Sequence, residues 1–522
     1  MSKQFKITVI YKDEEIVIKG TEGQSILAAL RAADISEPES PCGGGGTCGK
    51  CTGEVTGSVA KSDGTGVKRV VGEMMKLCVA CPADDCKVKI GGRDELKVVT
   101  DGTGEIEAGG KGLGLAVDIG TTTVAAYIYD LEKGVQISTC GIRNSQSVYG
   151  ADVISRITNC ADGGLQKMEK LIGSQLKEMA KIMCEETGHQ MSEITKVSIA
   201  GNTVMQHLFM GLDPTSIGVT PFTPLSYFGK TEEFPSFTEA FAEGCELWLA
   251  PAIAGYVGGD ITAGYAACMD DIGDDYVLYI DVGTNGEMLI GDKNGYISCA
   301  TAAGPAFEGA LIDCGTGARE GAIDVVNAVD GELVIHTICN EKANGICGSG
   351  LIDAVAAMLE LGIIDETGRL LPPDEAPEHF KDRLKQREDR IWCFYLQEDV
   401  YISAADIRKL QLAKAAIRAG AETLMQISKK SAGDIDRLII AGGFGSHMKV
   451  KSALAIGLLP QLPPERISHV GNAAGAGAAM ALTQSGRDKV NAFAKQCGYL
   501  ELSGSPEFQD NYIDCMIFDE EE

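Results

Sequence analysis

Four cysteines in the first 80 residues have the residue type and spacing of an iron–sulfur site. Cys42, Cys48 and Cys51 form a C-x5-C-x2-C motif within a glycine-rich run, and Cys78 follows 27 residues after Cys51. Thiolates are soft ligands that hold iron, and glycine lets the backbone come close to an inorganic core. Three close thiolates and one distant thiolate therefore predict a 2Fe–2S cluster, which carries single electrons.

Other interpretations of these cysteines fit the sequence less well. Structural zinc prefers two paired C-x2-C motifs, and the near P-loop at 44–50 continues into Cys51 instead of Ser or Thr. The first residues do not have the pattern of a secretory leader, so we expect free thiols and not disulfides. Cys81 and Cys86 remain rivals to Cys78 as the fourth ligand.

Two strand-to-turn motifs further along the chain predict phosphate binding. Asp118 and Asp281 each end an apolar run and begin an Asp-x-Gly-Thr sequence, 163 residues apart. Glycine-turn N–H groups and threonine hydroxyls can surround phosphate oxygens, and an aspartate at a strand end can organise hydrated Mg²⁺ and the attacking water. We call 120–123 the first phosphate turn and 283–286 the second. Their predicted phosphate-binding residues are Gly120, Thr121, Thr122, Thr123, Gly283, Thr284, Asn285 and Gly286.

A third glycine turn predicts a place for a nucleotide base. The apolar strand 438–441 runs into Gly442 and Gly443, where a flat base can approach the backbone, and we call this pair the adenosine turn. The following segment 471–478 is rich in Gly and Ala, which predicts a helix that packs very close to a neighbour.

Composition narrows the function classes. The 522 residues carry a net charge of −28, so a nucleic-acid partner is not expected. No apolar run approaches the roughly 18 residues of a membrane span, so we expect no membrane association. The 18 cysteines favour a reducing, cytoplasmic location.

The pattern of elements predicts an α/β chain with a small first domain and a duplicated larger one. Alternating apolar residues from Phe5 and a return strand near 15–18 predict a β-grasp ferredoxin domain over 1–90. A linker at 91–113 precedes two subdomains, at 114–275 and 276–485, and a C-terminal tail at 486–522. The segment 77–88 resembles, without a gap, the stretch around the last cluster ligand of ferredoxins. That resemblance assigns the fourth ligand to Cys78.

The order of the two phosphate turns and the adenosine turn resembles the acetate and sugar kinase, heat-shock protein and actin (ASKHA) superfamily over roughly 114–485. Four further stretches, 200–214, 251–260, 303–309 and 345–350, together with the ferredoxin-like start, look like the reductive activators of corrinoid proteins. Longer members of that family place a further domain where this chain has only the linker.

The resemblance implies a function and a set of partners. These activators use MgATP to return Co(II) to Co(I) in a corrinoid protein of a methyltransferase system, a couple more negative than the roughly −400 mV of plant-type clusters. A low-potential electron donor is then required, and a homodimer is compatible with the family. Gln411 and Lys414 are expected at ribose or base, and Asp260 and Glu308 as supporting or partner contacts. None of the six histidines follows an aspartate by two residues, as a D-x-H-x-x-G cobalamin motif requires, so we expect the corrinoid on the partner.

Three other function classes stay open at this stage. A small-molecule kinase with a regulatory cluster would share the nucleotide site, and so would a chaperone-like binding ATPase. Dehydratase activators share the ATPase fold but hold a cluster between subunits, for which Cys314 or Cys347 could serve. A count of two irons per monomer would separate that class from a ferredoxin domain.

Overall fold

The first unit of the chain is a mixed sheet crossed by one helix. The computed structural model describes residues 3–11, 14–33, 35, 38, 51–61, 66–90, 104–309, 311–445 and 448–518. The five strands have the order β2-β1-β5-β3-β4, with β1 and β5 parallel and all other pairs antiparallel. The elements are β1 Gln4–Tyr11, β2 Glu14–Thr21, α1 Ile26–Ala32, β3 Thr52–Ala60, β4 Lys68–Lys76 and β5 Cys81–Lys89. This is the predicted β-grasp arrangement.

A second sheet begins at residue 113. Its order is β10-β11-β9-β6-β7-β8, and the central strand β6 is apolar and almost wholly buried, as expected for a strand covered on both faces. The elements are β6 Leu113–Ile119, β7 Thr123–Asp130, β8 Val135–Arg143, α2 Val153–Asn159, α3 Leu165–Thr187, β9 Ile194–Gly201, α4 Thr203–Phe209, β10 Thr231–Glu232, α5 Pro235–Thr238, β11 Glu246–Leu249 and α6 Gly259–Ile272. We call the unit built on this sheet the first lobe.

A third sheet repeats the pattern, with the order β22-β21-β12-β13-β14-β23. In both sheets a three-stranded antiparallel meander is joined to a parallel strand beside its first member, which confirms the duplication. We call this unit the second lobe. Its elements are β12 Val277–Val282, β13 Gly286–Asp292, β14 Gly295–Thr301, β15 Ala322–Val329, β16 Glu332–Thr337, β17 Gly345–Ile346, α7 Gly348–Glu360, β18 Leu384–Gln386, β19 Trp392–Gln397, β20 Val400–Ser403, α8 Ala404–Ile427, β21 Arg437–Ala441, α9 Val450–Ala455, β22 Ile467–His469, α10 Ala473–Met480, α11 Gln484–Gln496, β23 Cys497–Tyr499 and α12 Pro506–Asp514.

Two helices, α6 and α10, pack between the lobes with almost no side chain at their crossing. A Cβ placed on Gly477 would lie 2.1 Å from the carbonyl oxygen of Ala263, so only glycine permits this approach. The predicted close packing of the Gly- and Ala-rich segment is therefore observed.

The predicted linker and the predicted C-terminal tail both pack on the lobes where the structure describes them. In the linker, the Ile106 N–H donates to Gly134 at 2.8 Å and the Gly110 N–H donates to Leu131 at 2.9 Å, so it runs along the β7–β8 turn. The segment predicted as a C-terminal tail does not stand apart, because β23 pairs with β14 and α12 packs on α8. Within the described residues, no helix is both long and apolar enough to cross a bilayer.

The ferredoxin-like unit contacts the first lobe through α1. The Arg31 guanidinium lies 5.8 Å from the ring centroid of Tyr149. On the same helix, the Leu27 N–H donates to the carbonyl of Leu77, the residue before Cys78, at 3.0 Å. The helix thus connects the residues next to Cys78 with the nucleotide-binding part of the chain.

Candidate functional site

Two of the predicted cluster ligands are neighbours. The Leu77 N–H donates to the carbonyl of Cys51 at 2.7 Å, which brings Cys78 next to Cys51 although they are 27 residues apart in sequence. Cys51 is fully buried and Cys78 is half-buried. The other two predicted ligands, Cys42 and Cys48, lie outside the described residues. The chemistry of the described pair fits a 2Fe–2S cluster, and the ligand set of four stays a prediction.

The rival cysteines have surroundings that suit ordinary thiols. Cys81 is buried, and its Sγ points to the carbonyl of Gly23 at 3.7 Å. Cys86 lies within β5, between β1 and β3, in the hydrophobic core. Burial, with smaller contributions from Asp85 and Asp84, raises the pKa of Cys86 to about 11, which disfavours the thiolate that a metal needs. These observations favour Cys78 as the fourth ligand.

The two predicted catalytic aspartates lie at equivalent ends of the two sheets. Asp118 is the penultimate residue of β6, just before the first phosphate turn, and Asp281 has the same position in β12. Each lies beside a parallel strand, with Asp118 opposite Ala200 and Asp281 opposite Ala441. Because the carboxyl ends of parallel strands share one edge of a sheet, the turns that follow lie on the sides of the two lobes that meet. We call the region between these turns the cleft.

Four carboxylates repel one another in this cleft. Burial, followed by the charge of Asp260, raises the pKa of Asp118 to about 7. Burial, with Asp260 and Asp118, raises the pKa of Asp281 to about 8, and burial raises that of Asp260 to about 6. The pKa of Glu287 is also raised, first by burial and then by Asp260 and Asp281. Clustered carboxylates of this kind favour a cation, so the donor set fits Mg²⁺.

The carboxylates do not form a closed metal cage. Among the residues that the structure describes, no three His, Cys, Asp or Glu side chains converge closely enough to bind a metal ion. Mg²⁺ commonly takes one or two carboxylates and completes its shell with waters and substrate phosphates. The arrangement is compatible with that mode of binding.

Three buried polar side chains hold the first phosphate turn by hydrogen bonds. Asn144 donates to the Gly120 carbonyl at 2.8 Å, and Asn202 donates to the Thr121 hydroxyl at 3.0 Å. The fully buried Arg156 donates to the Thr121 carbonyl at 2.5 Å, and burial lowers the pKa of its guanidinium to about 9. None of these three side chains binds the hydroxyl of Thr122, which has a partner in the second lobe. Thr123 is the first residue of β7.

The second phosphate turn is held by its own backbone and by the segment after β14. The Gly283 N–H donates to the carbonyl of Asn285 at 3.0 Å, and the Gly304 N–H donates to the carbonyl of Thr284 at 2.9 Å. The Asn285 amide donates to the Glu287 carboxylate at 3.1 Å. Gly286 is enclosed, because a Cβ there would lie 2.8 Å from a side-chain atom of Ile417.

One carboxylate joins the two phosphate turns. The Thr122 hydroxyl donates to Glu308 Oε2 at 2.6 Å, and the Thr284 hydroxyl donates to Glu308 Oε1. Thr122 belongs to the first lobe, whereas Thr284 and Glu308 belong to the second. The structure thus brings the two predicted turns together at a residue that the sequence indicated only as a supporting or partner contact.

The adenosine turn follows β21 and lies beside Asp281. Gly442 has φ +90°, and a Cβ on it would lie 2.5 Å from Asp281 Oδ1. A Cβ on Gly443 would meet no atom within 4 Å, so there is open space at this position. Gly442 therefore has no room for a side chain, whereas Gly443 lies beside open space, and adenosine binding at this turn stays a prediction.

The structure does not place Gln411 and Lys414 with these residues. Both are buried on α8, where Gln411 donates to the carbonyls of Thr367 and Met516 and Lys414 donates to the carbonyl of Ile517 at 2.5 Å. Their polar atoms thus bind backbone carbonyls of residue 367 and of the segment after α12. α12 packs on this part of α8, so the helix face is not solvated, and the expectation that the two residues contact ribose or base stays a prediction.

Sequence reasoning did not single out three residues of the site, Asn144, Arg156 and Asn202. Asn202 had a usable signal, since it follows the buried strand β9 as Gly442 follows β21. Arg156 and Asn144 had none, because an arginine on a short helix and an asparagine after a strand are normally solvent-facing.

Family models match three consecutive segments of the chain. Residues 9–83 match a 2Fe-2S iron-sulfur cluster binding domain, residues 113–271 match the RACo middle region, and residues 275–522 match the C-terminal domain of RACo, the ASKHA domain. The predictions of a ferredoxin domain with a 2Fe–2S cluster and of an ATP-binding ASKHA fold are thereby confirmed.

One relative shows the family, and a second protein and one solved structure are similar to this chain. The corrinoid activation enzyme RamQ of Eubacterium limosum is 32% identical over 422 residues, covering 78% of this chain and 70% of that protein. The Co(II) methylated amine-specific corrinoid protein reductase of Methanosarcina barkeri is 24% identical over 441 residues, covering 77% and 76%. The structure of a reductive activator for corrinoid, iron-sulfur protein matches with a TM-score of 0.70 at 29% identity, covering 98% of both chains. The chain belongs to the family of reductive activators of corrinoid proteins, which join a 2Fe–2S domain to an ASKHA ATPase domain.

Proposed function

We propose that this protein uses ATP to drive the one-electron reduction of Co(II) to Co(I) in the corrinoid protein of a methyltransferase system. The observation that carries the proposal is the match over 98% of both chains to a reductive activator, which includes the ferredoxin domain and both lobes. A kinase would need no electron carrier on the same chain. A dehydratase activator would need a cluster between subunits, whereas residues 9–83 match a 2Fe–2S domain within the chain.

The need for ATP follows from the redox potentials. A plant-type cluster lies near about −400 mV, and an acceptor couple that is more negative receives the electron less than half of the time. Each further 59 mV or so lowers the equilibrium yield of Co(I) about tenfold. A ligand that moves a protein from 1:99 to 99:1 between two conformations must bind the favoured one more tightly by about 5.5 kcal/mol. We infer that the nucleotide supplies such a difference by changing how the two lobes meet.

The residues of the chain divide this work between two regions. In the ferredoxin unit, Cys51 and Cys78 with Cys42 and Cys48 hold the cluster, which supplies single electrons. In the cleft, Asp118 and Asp281 orient Mg²⁺ and the attacking water, and the phosphate turns bind the triphosphate. Closure of the lobes around the nucleotide would favour a complex with the corrinoid protein in which the cobalt is easier to reduce.

The partners follow from the same proposal. The cobalt is on a separate corrinoid protein, and a low-potential donor reduces the cluster between turnovers. We infer a cytoplasmic location, because a cluster held by thiolates and 18 cysteines in all suit a reducing compartment.

An anaerobic reconstitution tests the proposal. Reduced protein, MgATP and a candidate Co(II) corrinoid protein are mixed, and the Co(I) absorbance band is followed with time. We expect the band only when both ATP and the corrinoid protein are present, together with ATPase activity that the corrinoid protein stimulates.

Matched variants assign the effect to the cleft. Asp118→Asn should keep the iron content but abolish ATP-dependent Co(I) formation, whereas Asp382→Asn, at an exposed residue of the second lobe, should behave as the parent. Equal Co(I) yields with and without ATP, or a preparation without iron and sulfide, would disprove the proposed function.

A further inference from the structure

Glu308 lies where the two phosphate turns meet. Its two carboxylate oxygens accept one hydroxyl from each phosphate turn, from Thr122 at 2.6 Å and from Thr284. The two threonines come from different lobes and lie 186 and 24 residues from Glu308 in sequence. A single side chain therefore connects the lobes at the point where the triphosphate is expected.

The backbone around Glu308 is rigidly placed. The preceding Phe307 is fully buried and stacks on Phe444, next to the adenosine turn, with ring centroids 5.5 Å apart and an interplanar angle of 24°. The start of α7 packs directly below, because a Cβ on Gly348 would lie 1.6 Å from the Phe307 carbonyl oxygen. Gly309, which follows, has φ +71°, a conformation that favours glycine. The backbone at Glu308 is thus set by packing, whereas its carboxylate is held in place by the two threonine hydroxyls.

The two hydroxyls that bind Glu308 are the donors that a phosphate would need. A carboxylate and a phosphoryl group are both anionic acceptors that take short, charge-assisted hydrogen bonds from hydroxyls. They also repel each other when they approach the same pair of donors, because like charges in a partly dehydrated cleft interact strongly. Thr122 and Thr284 cannot donate their single hydroxyl protons to both groups at once.

We propose that Glu308 is an exchangeable latch: it joins the lobes in the nucleotide-free protein, and the terminal phosphate of ATP displaces it from Thr122 and Thr284. This inference rests on the ATP-binding part of the proposed function. Glu308 acts as a positioning residue, because its hydrogen bonds to both lobes break when the third phosphate binds. ADP, which lacks that phosphate, leaves the latch in place.

The test compares ATP and ADP binding to the full-length, cluster-containing protein in the absence of a corrinoid partner. Dissociation constants are measured calorimetrically for the parent, for Glu308→Gln and for Glu332→Gln, a control at an exposed glutamate of β16. Removing the competing charge should tighten ATP binding by at least about fivefold while the ADP constant changes less than about twofold. The control should leave both constants at the parent values.

A second measurement examines the latch without nucleotide. Amide hydrogen exchange over 120–123 and 283–286 should be faster in Glu308→Gln than in the parent, and adding ATP should remove the difference. Glu308→Asp keeps the charge but is too short to reach both threonines, so it should also accelerate exchange. It provides the test if Glu308→Gln fails to fold.

The outcomes separate this inference from the proposed function. If ATP drives Co(I) formation but Glu308→Gln changes the ATP and ADP constants by the same factor, or weakens ATP binding, the latch is disproved and the function stands. If the parent binds neither nucleotide, both fail.

Discussion

Gly442 of the adenosine turn lies directly against Asp281 of the second phosphate strand. A Cβ at Gly442 would be 2.5 Å from Asp281 Oδ1 and 2.9 Å from the carbonyl oxygen of Val282. The parallel pairing of β12 with β21 brings the two turns side by side. The turn predicted to bind the base and the aspartate predicted to organise the metal therefore lie in close contact, and a change in one is expected to disturb the other.

Gly442→Ala should destabilise the second lobe and displace the Asp281 carboxylate. The φ of +90° is costly for a residue with a Cβ, and together with the contact we expect a loss of about 2 kcal/mol in the free energy of unfolding. Chemical denaturation of the nucleotide-free protein measures this loss. Gly443→Ala is the matched control, since its Cβ meets no atom within 4 Å, and its change should stay below about 0.5 kcal/mol. Equal losses in the two variants would contradict the contact.

The nucleotide-free protein should become less stable as the pH rises from about 4 to about 8. Unfolded aspartates ionise near pH 3.9 or so, whereas folded Asp118 and Asp281 keep their protons up to about pH 7 and about pH 8. In that interval the folded state binds more protons than the unfolded state, so the free energy of unfolding falls with increasing pH. Thermal unfolding across this range, with and without MgATP, measures the slope. The nucleotide complex should show a smaller slope, because bound Mg²⁺ compensates the carboxylates.

Asp281→Asn should stabilise the nucleotide-free protein at pH 8 while it abolishes ATP hydrolysis. The substitution removes one of the mutually repelling charges, so the gain should be about 1 kcal/mol or more at pH 8 and should vanish near pH 4. Thermal unfolding and phosphate release measure the two effects. The exposed Asp382→Asn should change neither. A uniform gain at all pH values would argue against repulsion as the cause.

Cys78→Ala should lose the 2Fe–2S cluster, whereas Cys81→Ala and Cys86→Ala should retain it. Cys78 directly follows Leu77, whose N–H donates to the Cys51 carbonyl, and burial raises the thiol pKa of both rivals. Iron and sulfide per monomer, with the visible absorption of the cluster, give the answer. Retention of two irons in Cys78→Ala and their loss in Cys86→Ala would reassign the ligand. Cys86→Ala should cost only the packing of a small core side chain.

Lys414→Met should loosen the C-terminal residues and leave the affinity for ATP unchanged. The ammonium group is fully buried, donates to the Ile517 carbonyl at 2.5 Å and lies 5.3 Å from the ring centroid of Phe518. Methionine cannot make this charge-assisted bond, and its loss should cost about 1.5–3 kcal/mol. Hydrogen exchange over 506–518 should increase. A weaker ATP affinity without faster exchange would support the prediction that Lys414 contacts the ribose or the base.

The parts of the fold predicted from sequence are those set by local chemistry. The Asp-x-Gly-Thr turns after Asp118 and Asp281 follow from apolar strands that end at glycine, and the pairing of β6 with β7 and of β12 with β13 is a consequence of such tight turns. The cysteine spacing likewise predicts the ferredoxin domain, because ligand distances limit how the loop can run. The limits of the last segment were less predictable, since β23 joins β14 across roughly 200 residues and no local pattern requires it.

What only the tertiary structure decided is which distant side chains meet. The amino-acid order around Glu308, Arg156 and Asn144 shows no periodicity that would direct them to the phosphate turns. The burial of Lys414 is likewise not visible in the sequence, because one face of α8 is covered by a segment about 100 residues further along the chain. Turn chemistry and strand periodicity act between neighbours in sequence, whereas these contacts arise from the packing of whole lobes. The sequence by itself thus determined the strands, the turns and the cofactor classes, and the packing of the two lobes decided that one carboxylate would join both turns.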